Sequence, residues 1–101
     1  MHKLRYLEQA KDDLIQIKRY IAKESGSQEV ALQYTSKLRQ QCIKLACLPG
    51  QIGRPRPELM KGLRSFVHGN YVILFMYNND FLDIVTIIEG HRDIEVMFED
   101  L

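Results

Sequence analysis

Apolar residues change their period twice along this chain. Ala10, Leu14, Ile17 and Ile21 recur at spacings of four, three and four, the stripe of an amphipathic helix running to about residue 23. Ahead of it, residues 3–7 form a short mixed run that suits a first or edge strand. Asp12 and Asp13 near the helix start, and Lys18, Arg19 and Lys23 near its end, are ordered to favour the helix dipole. No good N-cap precedes the first turn. Ser25-Gly26-Ser27 stops the pattern, because Gly26 can adopt a positive φ and either serine can cap a second helix. Ala31, Tyr34, Leu38, Cys42, Leu45 and Leu48 then form a second stripe, and two such helices joined by a short linker read as an antiparallel hairpin.

Pro49-Gly50 ends the hairpin. Residues 49–62 hold all three prolines and three of the six glycines, together with Arg54, Arg56, Glu58 and Lys61, and read as an irregular loop. The period then shortens. Residues 63–68 read as a strand, Gly69-Asn70 as a turn, residues 71–77 as a strongly apolar central strand, and residues 78–80 as a hairpin turn into a last strand over 81–89. Near-continuous apolar runs at 71–75 and 84–88 imply burial of much of both sheet faces. Gly90 permits a sharp exit, after which Ile94, Met97, Phe98 and Leu101 sit at the spacing of a short C-terminal helix. The order β-α-α-β-β-β-α predicts a small α+β domain, a helical hairpin packed on one face of a mainly antiparallel sheet.

A chain of 101 residues holds one such domain, so 1–101 is read as a single unit. Its formal charge of +1 conceals a partition. Residues 37–68 carry seven Lys/Arg against Glu58 alone, whereas residues 69–101 carry seven Asp/Glu against Arg92 alone. That asymmetry suits a basic surface meeting an acidic partner, and it suits equally a fold that brings the two lobes together. No stretch approaches the ~18 apolar residues of a membrane span, and Lys3 and Arg5 are not followed by a signal-type apolar region, so a cytoplasmic location is expected. Cys42 and Cys47 lie roughly 140° apart around a helix and are expected as free thiols packed as small hydrophobes, not as a disulfide or metal pair. Phosphate-loop, dinucleotide, zinc-hydrolase and serine-hydrolase signatures are missing, and no cofactor or metal is expected.

Residues 53–59 (Gly-Arg-Pro-Arg-Pro-Glu-Leu), 62–66 (Gly-Leu-Arg-Ser-Phe), 69–73 (Gly-Asn-Tyr-Val-Ile) and 90–93 (Gly-His-Arg-Asp) resemble toxins of the RelE/ParE superfamily, specifically its ParE branch. Ala10-Lys11-Asp12-Asp13-Leu14 with Ile17, Tyr20 and Ile21 fits the same pattern, so the resemblance covers nearly the whole chain in order. It implies a toxin of a type II toxin–antitoxin pair, a bacterial plasmid-stabilisation or growth-control module silenced by a small cognate antitoxin of the ParD kind. The RelE branch cleaves messenger RNA on the ribosome, whereas the ParE branch is associated with poisoning of DNA gyrase.

Chemistry weighs these alternatives. Cutting RNA through its 2′-hydroxyl needs a base, a cation for the charged phosphorane and an acid for the leaving oxygen. Arg64 and Arg92 resemble the phosphate-stabilising arginines of RelE-type nucleases, but where those tend to carry a tyrosine this chain has Phe98, which has no proton to exchange. If the chain is a nuclease, the candidate catalytic residues are Arg64, Arg92 and His91, with Glu58 as a further acid/base group. If it is an inhibitor, Arg54, Arg56, Lys61, Arg64 and Arg92 are the candidate partner-binding residues, toward the antitoxin, gyrase, or nucleic acid in the gyrase complex. Each has a plainer alternative: Arg64 and Arg92 ion-paired to Glu89, Asp93 or Glu95, Arg54 and Arg56 merely solvated, and His91 a structural imidazole. His2 and His68 read as ordinary surface residues, and Tyr71 and Tyr77 as packing. A disordered antitoxin tail folding along a groove between helices and sheet, its acids against the basic middle segment, is the expected mode of silencing.

Overall fold

Seven elements succeed one another: β1 (Lys3–Tyr6), α1 (Glu8–Ser25), α2 (Gln28–Cys47), β2 (Arg54–Pro55), β3 (Leu63–His68), β4 (Tyr71–Asn78) and β5 (Phe81–Glu89). They belong to a computed structural model that describes residues 1–90; the expected terminal helix, with His91 and Arg92, lies outside the described residues. The sheet order is β1-β5-β4-β3-β2, with β1 parallel to β5 and every other neighbour antiparallel. The expected α+β arrangement is therefore present, with one addition: the loop contributes a two-residue strand, β2, to the edge of β3.

The hairpin's local chemistry explains its turn. α1 starts after Leu7 without a side-chain cap and ends at Gly26, whose φ of 71° lets its N–H reach the Ala22 carbonyl at 2.9 Å. Ser27 is the serine that caps α2, its Oγ accepting the Val30 N–H at 3.1 Å. The second stripe needs correction at its end: α2 stops at Cys47, and Leu48 is 46% exposed. Thr35 and Ala46 are buried beside Leu38, Cys42 and Leu45 instead, the Thr35 hydroxyl donating back to the Ala31 carbonyl. The cysteines do face different ways, but only Cys42 packs as a hydrophobe, with burial pushing its thiol up to about 11; Cys47 is exposed.

Both faces of the central strand are covered. Ile73 and Phe75 face α1 and α2 with Leu82, Ile84 and Ile87, while Val72 and Leu74 pack with Leu63 on the other face against Leu59, Met76, Val85 and Ile88. Leu74 opposes Thr86 and Phe75 opposes Ile84, which leaves Val85 as an extra residue in β5, a bulge that re-aims the strand beyond it. β1 pairs only with residues 81–84, so β5 runs on past its neighbour. Asp13 of α1 fills that gap: its Oδ2 accepts the Ile87 N–H at 2.9 Å and the Thr86 hydroxyl. Asp13 thus serves a sheet edge as much as the helix dipole.

Asp83, within β5, is a buried carboxylate. Arg5 donates to it from both Nε (2.6 Å) and Nη2 (3.0 Å), Asn78 adds a bond at 3.3 Å, and the guanidinium lies 3.7 Å from the Phe81 ring centre. The hydrogen bond from Arg5 holds the Asp83 carboxyl below its ordinary range. His2 and His68 are also less exposed than expected: both are half-buried, the His2 ring tilted at 55° against Tyr77 with centres 4.7 Å apart and His68 edge-on to Tyr34.

Candidate partner-binding face

The basic loop between α2 and β3 is fixed from within. Gly53 carries a φ of 87°, and a Cβ there would stand 2.7 Å from the Ser65 carbonyl and 2.8 Å from the Phe75 ring, so any side chain would force the loop and β3 apart. This close crossing turns the carbonyls of Ile52 and Gly53 toward β3. Arg64 meets them, Nε donating to Ile52 at 2.8 Å and Nη2 to Gly53 at 2.9 Å. Tyr77 clasps the other side of the loop, its hydroxyl accepting the Ile52 N–H at 3.0 Å and donating to the Leu45 carbonyl at 3.1 Å. One phenol thus ties α2, the loop and β4 together.

Farther along, Arg54 and Pro55 pair with Ser65 and Arg64. The Arg56 N–H donates to the Leu63 carbonyl at 2.7 Å, and its side chain donates to the Ser65 hydroxyl at 3.0 Å while Nη1 stands 3.5 Å from Glu58. A tight turn then returns the chain, with the Leu59 and Met60 N–H groups donating to the Arg56 carbonyl. The result is a cleft of about 170 Å³ walled by Pro55, Pro57, Gly62 and Leu63, with Arg64 and Tyr77 among its lining.

The five candidate cations therefore divide. Arg64 is half-buried and committed to two backbone carbonyls, not to a carboxylate, which keeps three of its five N–H donors in a fixed orientation at the cleft. Arg56 is half-buried and shared between Ser65 and Glu58. Arg54 and Lys61 are exposed and have no carboxylate within salt-bridge distance among the described residues. Arg92 and His91 lie outside the described residues. Glu58, the further acid/base candidate, is paired to Arg56 and is not brought to Arg64. Among the described residues no group of three His, Cys, Asp or Glu side chains is placed to hold a metal ion, and no helix is long and apolar enough to cross a membrane.

Sequence reasoning missed the parts that hold the loop. Gly53 before an Arg-Pro step was a legible signal of a special backbone position. Tyr77 and Ser65 had none, since their partners are 25 and 32 residues away for the tyrosine and in a loop without periodicity for the serine.

Comparisons with known proteins extend the picture. A family model described as the ParE toxin of the type II toxin–antitoxin system parDE matches residues 4–94. No curated protein matches the chain. Among solved structures, a chain of the chromosomal ParDE toxin–antitoxin system from P. aeruginosa superposes with a TM-score of 0.78 at 22% identity, over 90% of this chain and 98% of that one. At that identity the superposition speaks for the fold.

Proposed function

The chain belongs to the ParE toxin family of type II toxin–antitoxin systems, and from that premise we propose that it acts in the cytoplasm by binding DNA gyrase and blocking replication, held inactive by a cognate ParD-like antitoxin. The observation that carries this reading is the contrast within the loop face: the loop that presents its cations is held by Arg64 and Arg56, and among the described residues no general base stands beside the fixed guanidinium of Arg64. Arg64 faces two carbonyl oxygens, Glu58 is drawn away by Arg56, and Phe98 replaces the tyrosine that RelE-type nucleases tend to use. A preorganised cationic face of this kind suits binding better than phosphodiester cleavage, which needs proton-transfer groups in reach of the phosphate. Arg54 and Lys61 would meet the partner directly, with Arg56 at the margin and Arg64 holding the loop that presents them. Arg92 belongs to the same set by resemblance.

The messenger-RNA endonuclease reading keeps one observation in its favour, the three donors of Arg64 at the cleft that bond no partner among the described residues. A supercoiling assay with purified gyrase separates the two. The expected result is inhibited supercoiling with accumulation of cleaved DNA, relieved by the antitoxin, while a defined transcript incubated with ribosomes stays intact. Normal supercoiling together with a cut transcript would overturn the gyrase reading.

A further inference from the structure

One edge of the sheet is longer than the strand that covers it. β1 pairs with β5 only as far as Ile84, whose carbonyl accepts the Leu7 N–H at 3.0 Å before the chain turns into α1. Past the bulge at Val85, β5 continues to Glu89 with β4 on one side and, among the described residues, no strand on the other. The Ile87 N–H points away from β4, toward Asp13, and the alternation of an antiparallel ladder turns the backbone of Glu89 the same way. The Gly90 N–H, which bonds the Asn70 carbonyl at 2.8 Å, fits that alternation. Asp13 caps only the Ile87 N–H, so the Ile87 carbonyl and both backbone groups of Glu89 stand at the edge with no partner among the described residues. The opposite edge is guarded: β2 is two residues long, and its Pro55 has no N–H to offer.

Beside this edge lies a hollow of about 250 Å³, lined by Ile17, Tyr20, Tyr71 and Ile87 together with Asp13 and Glu89. Tyr20 and Glu89 are exposed. Burial pushes the Tyr71 phenol up to about 12, and the nearby Glu89 carboxylate adds to the rise. Neither Asp13 nor Glu89 has a cation within salt-bridge distance among the described residues, whose ion pairs are Arg5–Asp83, Lys11–Glu8 and Arg56–Glu58. Apolar walls beside carboxylates and phenol rings suit the aliphatic stem and charged head of a lysine or arginine, and repel a phosphodiester. The chain itself supplies no matching occupant. Residues 91–101 carry four carboxylates against Arg92, the wrong sign, and the basic β2 of a second copy is the strand that Pro55 interrupts. We propose that the β5 edge at residues 87–89 accepts an extended basic segment of a partner polypeptide, which adds a strand beyond β5 in line with β1 and seats one lysine or arginine in the hollow beside Asp13 and Glu89. Backbone pairing supplies the affinity, and the hollow selects the residue. The site lies at the other end of the strand order from the loop face, so both can be occupied at once, and the proposal does not rest on gyrase being the target.

The test uses the full chain and a fluorescein-labelled synthetic peptide in which valine and threonine alternate around one central arginine, read by fluorescence anisotropy. Saturable binding is expected, weakened about tenfold by Glu89→Lys and several-fold by Tyr20→Ala, with slowed hydrogen exchange at the Glu89 amide in the complex. Methylating the peptide's backbone nitrogens to either side of the arginine is expected to abolish binding, because a strand pairs through those groups. Arg54→Glu/Lys61→Glu is expected to leave it within about twofold. Circular dichroism confirms that these surface variants fold. The proposal is overturned by absence of saturable binding, by equal binding of the methylated peptide or of one with glutamate in place of arginine, by full affinity in the Glu89→Lys variant, or by an unchanged exchange rate at Glu89.

Discussion

The two edges of the sheet use arginine in opposite ways. At the β1–β5 edge, Arg5 closes a bidentate pair with the buried Asp83, and Asp13 caps the strand beyond it; the buried carboxylate there is neutralised by an arginine of the neighbouring strand. At the β2–β3 edge, Arg64 commits its fork to two carbonyls, and Arg54 and Lys61 are left facing solvent. The difference shows how a chain of net charge +1 can still present a basic face. Part of the acidic last third is neutralised where it is buried, while the basic middle third is held outward by a loop that uses one of its own cations as scaffolding.

That contrast breaks most completely at Gly53. Substituting alanine forces a side chain into the left-handed region and against Ser65 and Phe75, and the loop must lift away from β3. A loss of about 2–4 kcal/mol is expected, visible as a fall in Tm of roughly 10–25 °C, because strain and overpacking add. Gly26→Ala, which meets no atom within 4 Å, is the control and should cost only the strain of its positive φ. Equal losses at the two glycines would show that the close crossing at Gly53 does not hold the loop.

Next in size is Arg64→Ala, which strands the Ile52 and Gly53 carbonyls and should cost about 1.5–3 kcal/mol in urea unfolding. Arg64→Lys should recover less than half, since a single ammonium cannot reproduce a planar fork across two adjacent carbonyls. Full recovery by lysine would mean that charge, and not the fork, is what β3 supplies.

Both effects mark what was legible in the amino-acid sequence. The helical stripes, the Gly26 stop, the apolar runs of β4 and β5 and the Asn-Asp turn are local patterns, and each yielded its element within a few residues. What was not legible depends on pairs far apart in the chain: Arg5 with Asp83, Asp13 with Ile87, Tyr77 with Leu45 and Ile52. Asp13 shows why. Its place near a helix start is fully accounted for by the dipole, so nothing local signals a sheet edge 74 residues away. In the same way Arg54, Arg56 and Arg64 are chemically alike in sequence, and only the close crossing at Gly53 sorts them into presenting and supporting roles.

The Arg5 edge can be sharpened by pH. Asp83 has its pKa lowered by Arg5, so in the folded state it stays charged where the unfolded carboxyl would protonate. Its contribution is therefore present above the unfolded value near pH 4 and is lost as pH falls through the lower folded value. Asp83→Asn should lower stability at neutral pH and flatten the decline below about pH 4; an unchanged acid slope would mean that other carboxyls dominate it. Arg64→Ala, at the opposite edge, should leave the acid slope as it is, because its guanidinium faces carbonyl oxygens and not a carboxylate.

The smallest effect expected on stability is at Arg54 and Lys61, and it completes the comparison. Both are exposed and bond to no carboxylate among the described residues, so alanine at each should move the unfolding free energy by less than about 0.5 kcal/mol. If the loop face is the gyrase- or antitoxin-binding surface, the same pair should weaken binding by about tenfold. The loss should appear mainly in the association rate and shrink as salt rises, the signature of exposed steering charges. Arg5→Ala is the counterpart at the other edge: it should destabilise the fold while leaving partner affinity, measured on the folded fraction, unchanged. A stable Arg54→Ala/Lys61→Ala protein that still binds gyrase and antitoxin with full affinity would remove the loop's unpaired cations from the interface, leaving them as solvated charge on a loop whose rigidity then serves the fold alone.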